Sequence, residues 1–446
     1  MIEFGIQPGT IDQIKWAGTD LGDAGEFSRQ SWSMTMHGGQ SPVVRHGSEH
    51  LRAVRVVCNG RLGLAASRTD AWDNLLREAR LAALSGPETS MDVSEVPGGR
   101  VYMSKSHWDP HMLPKMEVTL RHIYENLQEL SPDFRPSVTV SYYERTTHFV
   151  TSLGGQAAWL HGYWEVTAGG RQVDGTDFHG VSGVRIKGDG IPDTASLIND
   201  LRERFQWGNS RRTIESGQYP TVFLPPVAMG LLGPVLARLS GPALVAGNSP
   251  WKSQQDQQIL SSMLSLFSDA AVPDGPQTGP FDDEGTATSR HPLIAEGILK
   301  HFVLDRDASR RLGHEPVGMG YRTSFNAPIQ SLPANLMVRP GSASFSQLLS
   351  RFPQLLVLNG WIGGRPTNPM RGDIAGNASD LYWVENGVVV GRVKNAVISV
   401  NAFEALHGQL LEVGQEAQWV TQGMMQAAPG NIPPLLIDRV DVALKQ

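Results

Sequence analysis

Apolar residues recur at helical spacing in three stretches of the first half of the chain. Residues three and four positions apart share one face of a helix, so this spacing predicts amphipathic helices. The predicted helices cover residues 71–84, 116–130 and 195–205. Asp70 is the expected N-cap of the first helix, and Gly86-Pro87 ends it. The apolar stripe of the second helix consists of Met116, Leu120, Ile123, Leu127 and Leu130.

Stretches rich in β-branched and aromatic residues predict strands in the same half. Residues 52–58 and 62–65 flank Asn59-Gly60, a dipeptide that favours the tight turn of a hairpin. Further strands are predicted over residues 137–144, 148–152 and 159–167. Gly169-Gly170 is interpreted as a turn that leads into residues 172–173.

The second half has a different pattern, in which short strands and turns dominate. A strand over residues 221–224 is followed by Pro225-Pro226, which opens an apolar helix that reaches about residue 239. Other predicted elements are strands over residues 299–304, 336–339 and 354–358, a helix over 344–351, and a hairpin of 382–384 with 388–390 across Asn386-Gly387.

These patterns predict an α+β protein of two domains. A chain of 446 residues is too long for one average core, and the polar stretch 207–218 separates the two patterns. We therefore expect an N-terminal mixed α/β domain over residues 1–206. A strand-rich C-terminal domain, with an antiparallel sheet or a barrel-like arrangement, is expected over residues 219–446.

Composition and charge exclude several classes of function. The formal net charge is -6 and no block of basic residues occurs, which argues against binding to nucleic acid or to an anionic membrane. Cys58 is the sole cysteine, so an internal disulfide and a multi-cysteine metal site are excluded. The N-terminus has no signal-peptide pattern, and no apolar run is long enough to span a membrane. A cytoplasmic location is expected.

The most specific signal lies in the second half. Phe281-Asp282-Asp283-Glu284-Gly285 places three carboxylates on a glycine turn, and a short apolar segment over residues 293–299 follows it. These residues resemble the DDEG element and the following segment of the TldD/PmbA family of two-subunit metallopeptidases. Other matches follow the family's order along the chain, at Lys252-Ser253, Asp305, Ala308, Leu312-Gly313, Gly372-Asp373 and Glu385-Asn386-Gly387.

The resemblance also draws attention to a missing motif. The catalytic TldD type of this family carries zinc on a helical HExxxH, and this chain contains no HExxxH. The helix predicted after the 221–224 strand has no His, Glu or Cys that could bind zinc. The resemblance therefore implies a TldE/PmbA-like subunit without catalytic or metal-ligating residues of its own. It further implies a heterodimer with an HExxxH-bearing TldD-like partner that supplies the zinc, acting on peptide or amide-containing substrates.

The same resemblance directs attention to Asp282, Asp283, Glu284, Gly285 and Arg290 as residues of a substrate cleft. Three adjacent carboxylates repel one another, so nearby cations are expected to offset their charge, and Arg290 and His291 are the local candidates. Both subunit types carry the acidic element. A structural or cleft-shaping role is therefore expected rather than proton transfer.

Two alternatives from other classes remain open. His46-Gly47-Ser48-Glu49-His50 matches the inverted zinc-peptidase signature H-x-x-E-H, which works only on a helix, and the valine-rich surroundings predict a strand or turn instead. The loop His107-Trp108-Asp109-Pro110-His111 also offers possible metal ligands. An autonomous metal-dependent hydrolase would use one of these sites. The other alternative is a non-enzymatic scaffold or binding protein.

Overall fold

The computed structural model describes residue 11 and residues 14–93, 100–103, 107–175, 177–323, 327–363, 368–421 and 428–445. Helices α1 to α8 span, in chain order, Trp72–Ala83, Leu113–Gln128, Ala195–Trp207, Pro225–Leu239, Gly241–Val245, Arg306–Leu312, Phe345–Leu349 and Ala402–His407. Strands β1 to β12 span Leu21–His37, Val43–Cys58, Arg61–Ser67, Arg100–Met103, Arg135–Thr151, Gln156–Asp174, Asp177–Lys187, Arg211–Arg212, Gly217–Phe223, Leu266–Asp269, Arg290–Ala295 and Ile298–Leu299. Strands β13 to β23 span Gly320–Arg322, Ile329–Ser331, Leu336–Val338, Gln354–Ile362, Asp373–Glu385, Val388–Val393, Ala396–Asn401, Leu410–Val413, Gln418–Val420, Gly430–Ile432 and Leu435–Leu444.

A large sheet forms the first half of the molecule. Its strands follow the order β3-β2-β1-β5-β6, and β4 and β7 both pair with β6. All neighbours are antiparallel except β4, which runs parallel to β6. Helices α2 and α3 pack against one face through an apolar core that includes Leu120, Tyr142 and Trp164. Helix α1 packs against β2 and β3 around Val54 and Leu75.

A closed ring of strands forms the centre of the second half. Strand β16 pairs with both β9 and β17, so the strands β16, β9, β23, β19 and β17 close on themselves as a five-stranded barrel. A second sheet with the order β12-β11-β10-β15-β22-β21 lies beside it. Helix α4 packs against β16, β22 and α8 and contributes Leu231, Leu232 and Val235 to the core. The architecture is α+β with a strand-rich second half, as the sequence predicted.

The helices predicted in the first half and the two Asn-Gly turns are confirmed. Helices α1 to α3 lie where the apolar spacing indicated, and α4 begins at Pro225-Pro226 as expected. At the predicted hairpin turns, Asn59 and Gly60 have φ of 51° and 71°, and Asn386 and Gly387 have φ of 49° and 80°. Positive φ at both central residues is the requirement of a type I′ turn, which Asn-Gly meets with little strain. The division at residues 206 and 219 stays a prediction.

Three local predictions were wrong. The N-cap of α1 is Ala71 and not Asp70, and no side chain caps this helix. The expected turn at Gly169-Gly170 is the interior of β6, which continues to Asp174. A Cβ on Gly169 would lie 2.3 Å from the Val181 carbonyl oxygen, so close packing, and not a turn, requires glycine there. The strand expected over residues 299–304 is also absent, because β12 ends at Leu299 and the segment continues with only an isolated bridge from Val303 to Ser240.

No helix in the described ranges is long and apolar enough to cross a membrane.

Candidate functional site

The acidic turn is buried in the interior of the molecule. Gly285 adopts φ of 72°, and the backbone N–H of Asp282 bonds to the carbonyl oxygen of Thr286, which closes a tight turn. The exposed fractions of Asp282, Asp283 and Glu284 are 1%, 2% and 2%. A solvated acidic loop is therefore wrong as a description of this segment. Three carboxylates in such a place need hydrogen bonds and cations around them.

Asp282 holds the turn together through backbone donors. Its Oδ1 accepts hydrogen bonds from the N–H groups of Glu284 at 3.0 Å and Thr286 at 2.8 Å, and its Oδ2 accepts one from Gly320 at 2.9 Å. Burial, together with repulsion from Glu284, raises the pKa of Asp282 well above its usual range, against the effect of these donors. The Asp282 side chain therefore stabilises the turn from inside, and in this conformation it is too buried to contact a substrate.

Asp283 and Glu284 connect the turn to the N-terminal sheet. Arg145 on β5 forms an ion pair with Asp283, which also accepts the backbone N–H of Arg322 at 2.8 Å. Glu284 accepts a hydrogen bond from Arg55 on β2 at 2.8 Å through Oε1. Its Oε2 accepts the backbone N–H of Arg306 at 2.8 Å. The turn therefore joins residues of both halves of the chain.

Arg55 is the central cation of this cluster. Its guanidinium makes two hydrogen bonds to Asp23, at 3.1 and 2.5 Å, in addition to the one to Glu284. Burial opposes the charge, but the carboxylates of Asp23 and Glu284 outweigh this and raise the pKa of Arg55 above its usual range. We call Asp23, Arg55, Arg145, Asp283 and Glu284 the interdomain ion cluster.

The expectation that Arg290 and His291 offset the acidic charge was wrong. Arg290 is exposed, lies over the Phe267 ring and approaches Asp269 at 3.7 Å. The His291 Nε2 lies 2.8 Å from the Ser289 hydroxyl oxygen. Arg55 and Arg145, which pair with Glu284 and Asp283, are 229 and 138 residues away from them along the chain. The cleft role expected for residues 282–285 and 290 stays a prediction.

One sequence signal could have pointed to Arg55. It lies between Val54 and Val56 in the C-terminal part of β2, where residues 53–57 are all buried and the other four are apolar. A charged residue in the middle of a buried apolar strand needs an opposite charge from another part of the fold. The sequence does not contain a comparable signal for Asp23, which follows a glycine at the start of β1.

A second set of ionic contacts joins the halves beside the cluster. Asp92 accepts hydrogen bonds from Arg306 at 2.8 Å and from Arg310 at 2.7 Å. Thr89 donates from its hydroxyl to Asp307 at 2.6 Å. These contacts connect the segment after α1 with helix α6. The two halves are therefore held by charge at two adjacent places.

The H-x-x-E-H residues lie on strand β2. Side chains four apart share a face of a strand and those three apart do not, so Glu49 projects away from His46 and His50. The His46 ring stacks on Trp32 with centroids 5.0 Å apart, and the His50 Nε2 lies 3.3 Å from Glu26. A strand cannot converge the three groups on one ion in the manner of the helical signature.

The other polar residues singled out from the sequence have structural contacts. Asp109 caps a short 3₁₀ turn by accepting the backbone N–H of His111 at 2.9 Å. His161 bonds to the Gly275 carbonyl oxygen at 2.8 Å, and Glu165 accepts the Thr421 hydroxyl at 3.2 Å. Within the described ranges, no group of three or more His, Cys, Asp or Glu side chains could hold a metal ion.

A cavity lies between the halves, where α3 meets the start of α4. Its volume is about 540 Å³, and its walls are α3, strands β6 and β7, the start of α4 and the segment 416–421. Charged side chains on its walls are Asp200, Glu203, Arg204 and Glu416. We call it the α3 pocket. Its volume is in the range of small-molecule sites in proteins.

Comparison with known proteins decides the family. Residues 216–444 match the family model described as the PmbA/TldA metallopeptidase C-terminal domain, which is more than half of the chain. The chain belongs to the TldD/PmbA family. A metalloprotease of Archaeoglobus fulgidus is 23% identical over 408 residues, an alignment that covers 87% of this chain and 90% of the relative.

Another sequence alignment within the family covers less of the chain, whereas a structural superposition covers nearly all of it. A metalloprotease of Methanocaldococcus jannaschii is 26% identical over 43% of this chain and 42% of its own length. Among solved structures, TldE from Thermococcus kodakarensis superposes with a TM-score of 0.82 at 21% identity, covering 95% of this chain and 97% of that one. This likeness shows that the chain has the fold of a TldE.

In the catalytic type of the family, the resemblance places zinc on the helix that corresponds to α4. The residues of α4 are not suited to bind that zinc. Pro225 and Pro226 open the helix, Pro234 lies inside it, and its buried residues are apolar. Arg238 is its one ionisable side chain and donates to the Met370 carbonyl oxygen at 2.6 and 3.0 Å. The guanidinium also lies 3.3 Å from the centroid of the Phe403 ring. The helix is a packing element with no ligand for a metal.

Proposed function

We propose that this chain is the TldE/PmbA-like, non-catalytic subunit of a heterodimeric TldD/TldE-type zinc metallopeptidase. An HExxxH-bearing partner would supply the zinc, the general base and the attacking water. The observation that carries the proposal is helix α4, which offers only apolar side chains and the engaged Arg238 where the family resemblance expects the zinc helix of the catalytic type. Membership of a metallopeptidase family supports the reaction class.

In this proposal the chain completes the substrate cleft for peptides or peptide-like molecules in the cytoplasm. Its strand-rich half offers sheet edges, and an extended peptide can bind to an edge through main-chain hydrogen bonds with little sequence preference. The interdomain ion cluster would fix the two halves at a constant angle, so the cleft between them would keep its shape. The single cysteine fits a reducing, cytoplasmic location.

The test is reconstitution with a TldD-type subunit. We expect the isolated chain to hold less than roughly a tenth of an equivalent of zinc after dialysis, because α4 has none of the ligands that structural or catalytic zinc requires. Alone it should not hydrolyse peptides, and hydrolysis should appear on mixing and disappear with a chelator. The matched control is the same partner with the Glu of its HExxxH replaced by Gln.

Three results would contradict the proposal. Stoichiometric zinc in the isolated chain, lost in a His46→Ala/His50→Ala variant, would support the autonomous metal enzyme instead. Peptide hydrolysis by the isolated chain in the presence of a chelator would exclude any role that depends on a partner's zinc. Failure to bind any TldD-type subunit would also reject the heterodimer, since the expected complex should survive gel filtration at micromolar concentration.

A further inference from the structure

The charges on the walls of the α3 pocket are unbalanced. Asp200, Glu203 and Glu416 are three carboxylates, and Arg204 is the single cation among the described residues that line the pocket. The Arg204 guanidinium is already engaged, because it makes two hydrogen bonds to Asp200, each of 3.1 Å. Arg185, next to the pocket, approaches the same carboxylate at 3.4 Å. The remaining negative charge therefore belongs to Glu203 and Glu416.

The pocket also has an aromatic wall. Trp207, the last residue of α3, stacks against Phe345 with ring centroids 5.9 Å apart and meets the edge of Tyr382 at 5.3 Å. These contacts fix the indole ring at the pocket, and Trp419 also lines it. Aromatic faces next to carboxylates are the surroundings that organic cations prefer, because the face of the ring attracts positive charge.

The surroundings of Glu203 would favour a bound cation. Burial and repulsion from Asp200 raise the pKa of Glu203, while Arg204 opposes this. A positive group in the pocket would lower that pKa again by favouring the carboxylate. The side chain is partly exposed at the pocket wall, so a ligand could reach it without unfolding any element.

We propose that the α3 pocket binds a small organic cation, an alkylammonium or alkylguanidinium group whose charge meets Glu203 and Glu416 and whose apolar stem packs against Trp207. A volume of about 540 Å³ accommodates a basic side chain of a peptide or a free amine of similar size. The site is a property of this chain alone. It goes beyond the proposed peptidase role and does not depend on a partner subunit.

The test measures binding to the isolated chain by titration calorimetry at pH 7.5, where alkylamines are charged. The probes are n-butylamine, its neutral and anionic counterparts valeramide and valerate, and the capped tripeptides Ac-Ala-Lys-Ala-NH₂ and Ac-Ala-norleucine-Ala-NH₂. We expect the cationic probes to bind and the neutral and anionic ones not to. Tighter binding of the lysine peptide identifies a peptide side chain as the ligand, and tighter binding of n-butylamine identifies a free amine.

The deciding variant is Glu203→Gln/Glu416→Gln. It should weaken binding of the cationic probes by at least roughly tenfold, since each carboxylate contributes a charge-assisted hydrogen bond. Both side chains are exposed, so the variant should fold, which an unchanged melting temperature checks. If the double variant is unstable, binding to the single variant Glu416→Gln is measured in its place. The matched control is Glu125→Gln, an exposed carboxylate on α2 outside the pocket, and it should bind like the wild type.

Three outcomes would overturn the proposal. The first is binding of the norleucine peptide or valeramide as tightly as the cations, which would make the pocket a merely apolar site. The second is an unchanged affinity in Glu203→Gln/Glu416→Gln. The third is no heat from any cationic probe at millimolar concentration. The peptidase proposal would stand in each case, because it is tested by zinc content and by reconstituted hydrolysis.

Discussion

Arg55→Met is the sharpest test of the interdomain ion cluster. Methionine keeps most of the buried side-chain volume and removes the guanidinium that joins Asp23 to Glu284. The side chains of Asp23, Arg55 and Glu284 are 5%, 7% and 2% exposed, so water cannot replace the lost partner. Removing one member of a buried ion pair costs about 3–5 kcal/mol, because the charge left behind stays buried without compensation. We expect the free energy of unfolding to fall by that amount.

The measurement is urea denaturation at pH 7.5, followed by tryptophan fluorescence and by far-ultraviolet circular dichroism. Agreement of the two signals establishes that one transition is observed, which a chain of this size does not guarantee. Arg61→Met is the matched control, because Arg61 faces Glu88 at 3.9 Å and both side chains are exposed. Exposed pairs of this kind contribute about 0–1 kcal/mol.

A second variant separates charge from packing. In the Arg55→Met background, Glu284→Gln removes one of the two unpaired carboxylates and should recover part of the loss, with a coupling energy of about 0.5–3 kcal/mol. The reasoning is refuted if Arg55→Met loses no more stability than Arg61→Met. Strict additivity of the two changes would equally show that Arg55 and Glu284 do not depend on each other.

Further predictions concern single side chains. Burial lowers the pKa of His161 from 6.5 to about 4. As the pH falls, the unfolded chain therefore takes up this proton before the folded chain does. The stability that is present above pH 6.5 is lost as the pH falls toward 4. His161→Gln keeps a donor to Gly275 and should reduce that acid-dependent loss of stability by up to roughly 3 kcal/mol. Urea denaturation across this pH range measures the loss, and a pH profile like that of the wild type would contradict the prediction. A Cβ on Gly320 would lie 2.2 Å from a carboxylate oxygen of Glu284, so Gly320→Ala should cost about 1–3 kcal/mol in thermal unfolding. Gly230→Ala on α4 meets no atom within 4 Å and should be neutral or stabilise by about 0.5–1 kcal/mol, and equal melting temperatures for the two alanine variants would refute the steric argument.

Much of the fold could be predicted because its signals are local. The spacing of Leu75, Leu76 and Ala79 predicted one face of α1, and those residues are buried in the structure. The Asn-Gly dipeptides predicted both hairpin turns, since few residues accept positive φ at two successive positions. Where a glycine serves a distant contact, local reasoning failed, and Gly169 was interpreted as a turn although it allows β6 to approach β7.

The candidate site was predicted only in part. The sequence identified Asp282, Asp283 and Glu284. The electrostatic repulsion between three adjacent carboxylates indicated that cations must lie nearby. It pointed to Arg290, a neighbour along the chain, whereas Arg55, which pairs with Glu284, is 229 residues away from it. The α3 pocket had no sequence signal, since Glu203, Trp207 and Glu416 come together only when α3 packs against the second half.

By itself the sequence determined helices α1 to α4, the two Asn-Gly hairpins, the family and the absence of zinc ligands on α4, because each depends on residue identity within a few positions. Only the tertiary structure decided that the acidic turn is buried and that Arg55 and Arg145 neutralise it. The physical reason is that a buried charge requires an opposite charge beside it, but the sequence does not specify which residue provides that charge. Any cation of suitable geometry can satisfy it, and which one does so depends on strand order and on how the two halves pack.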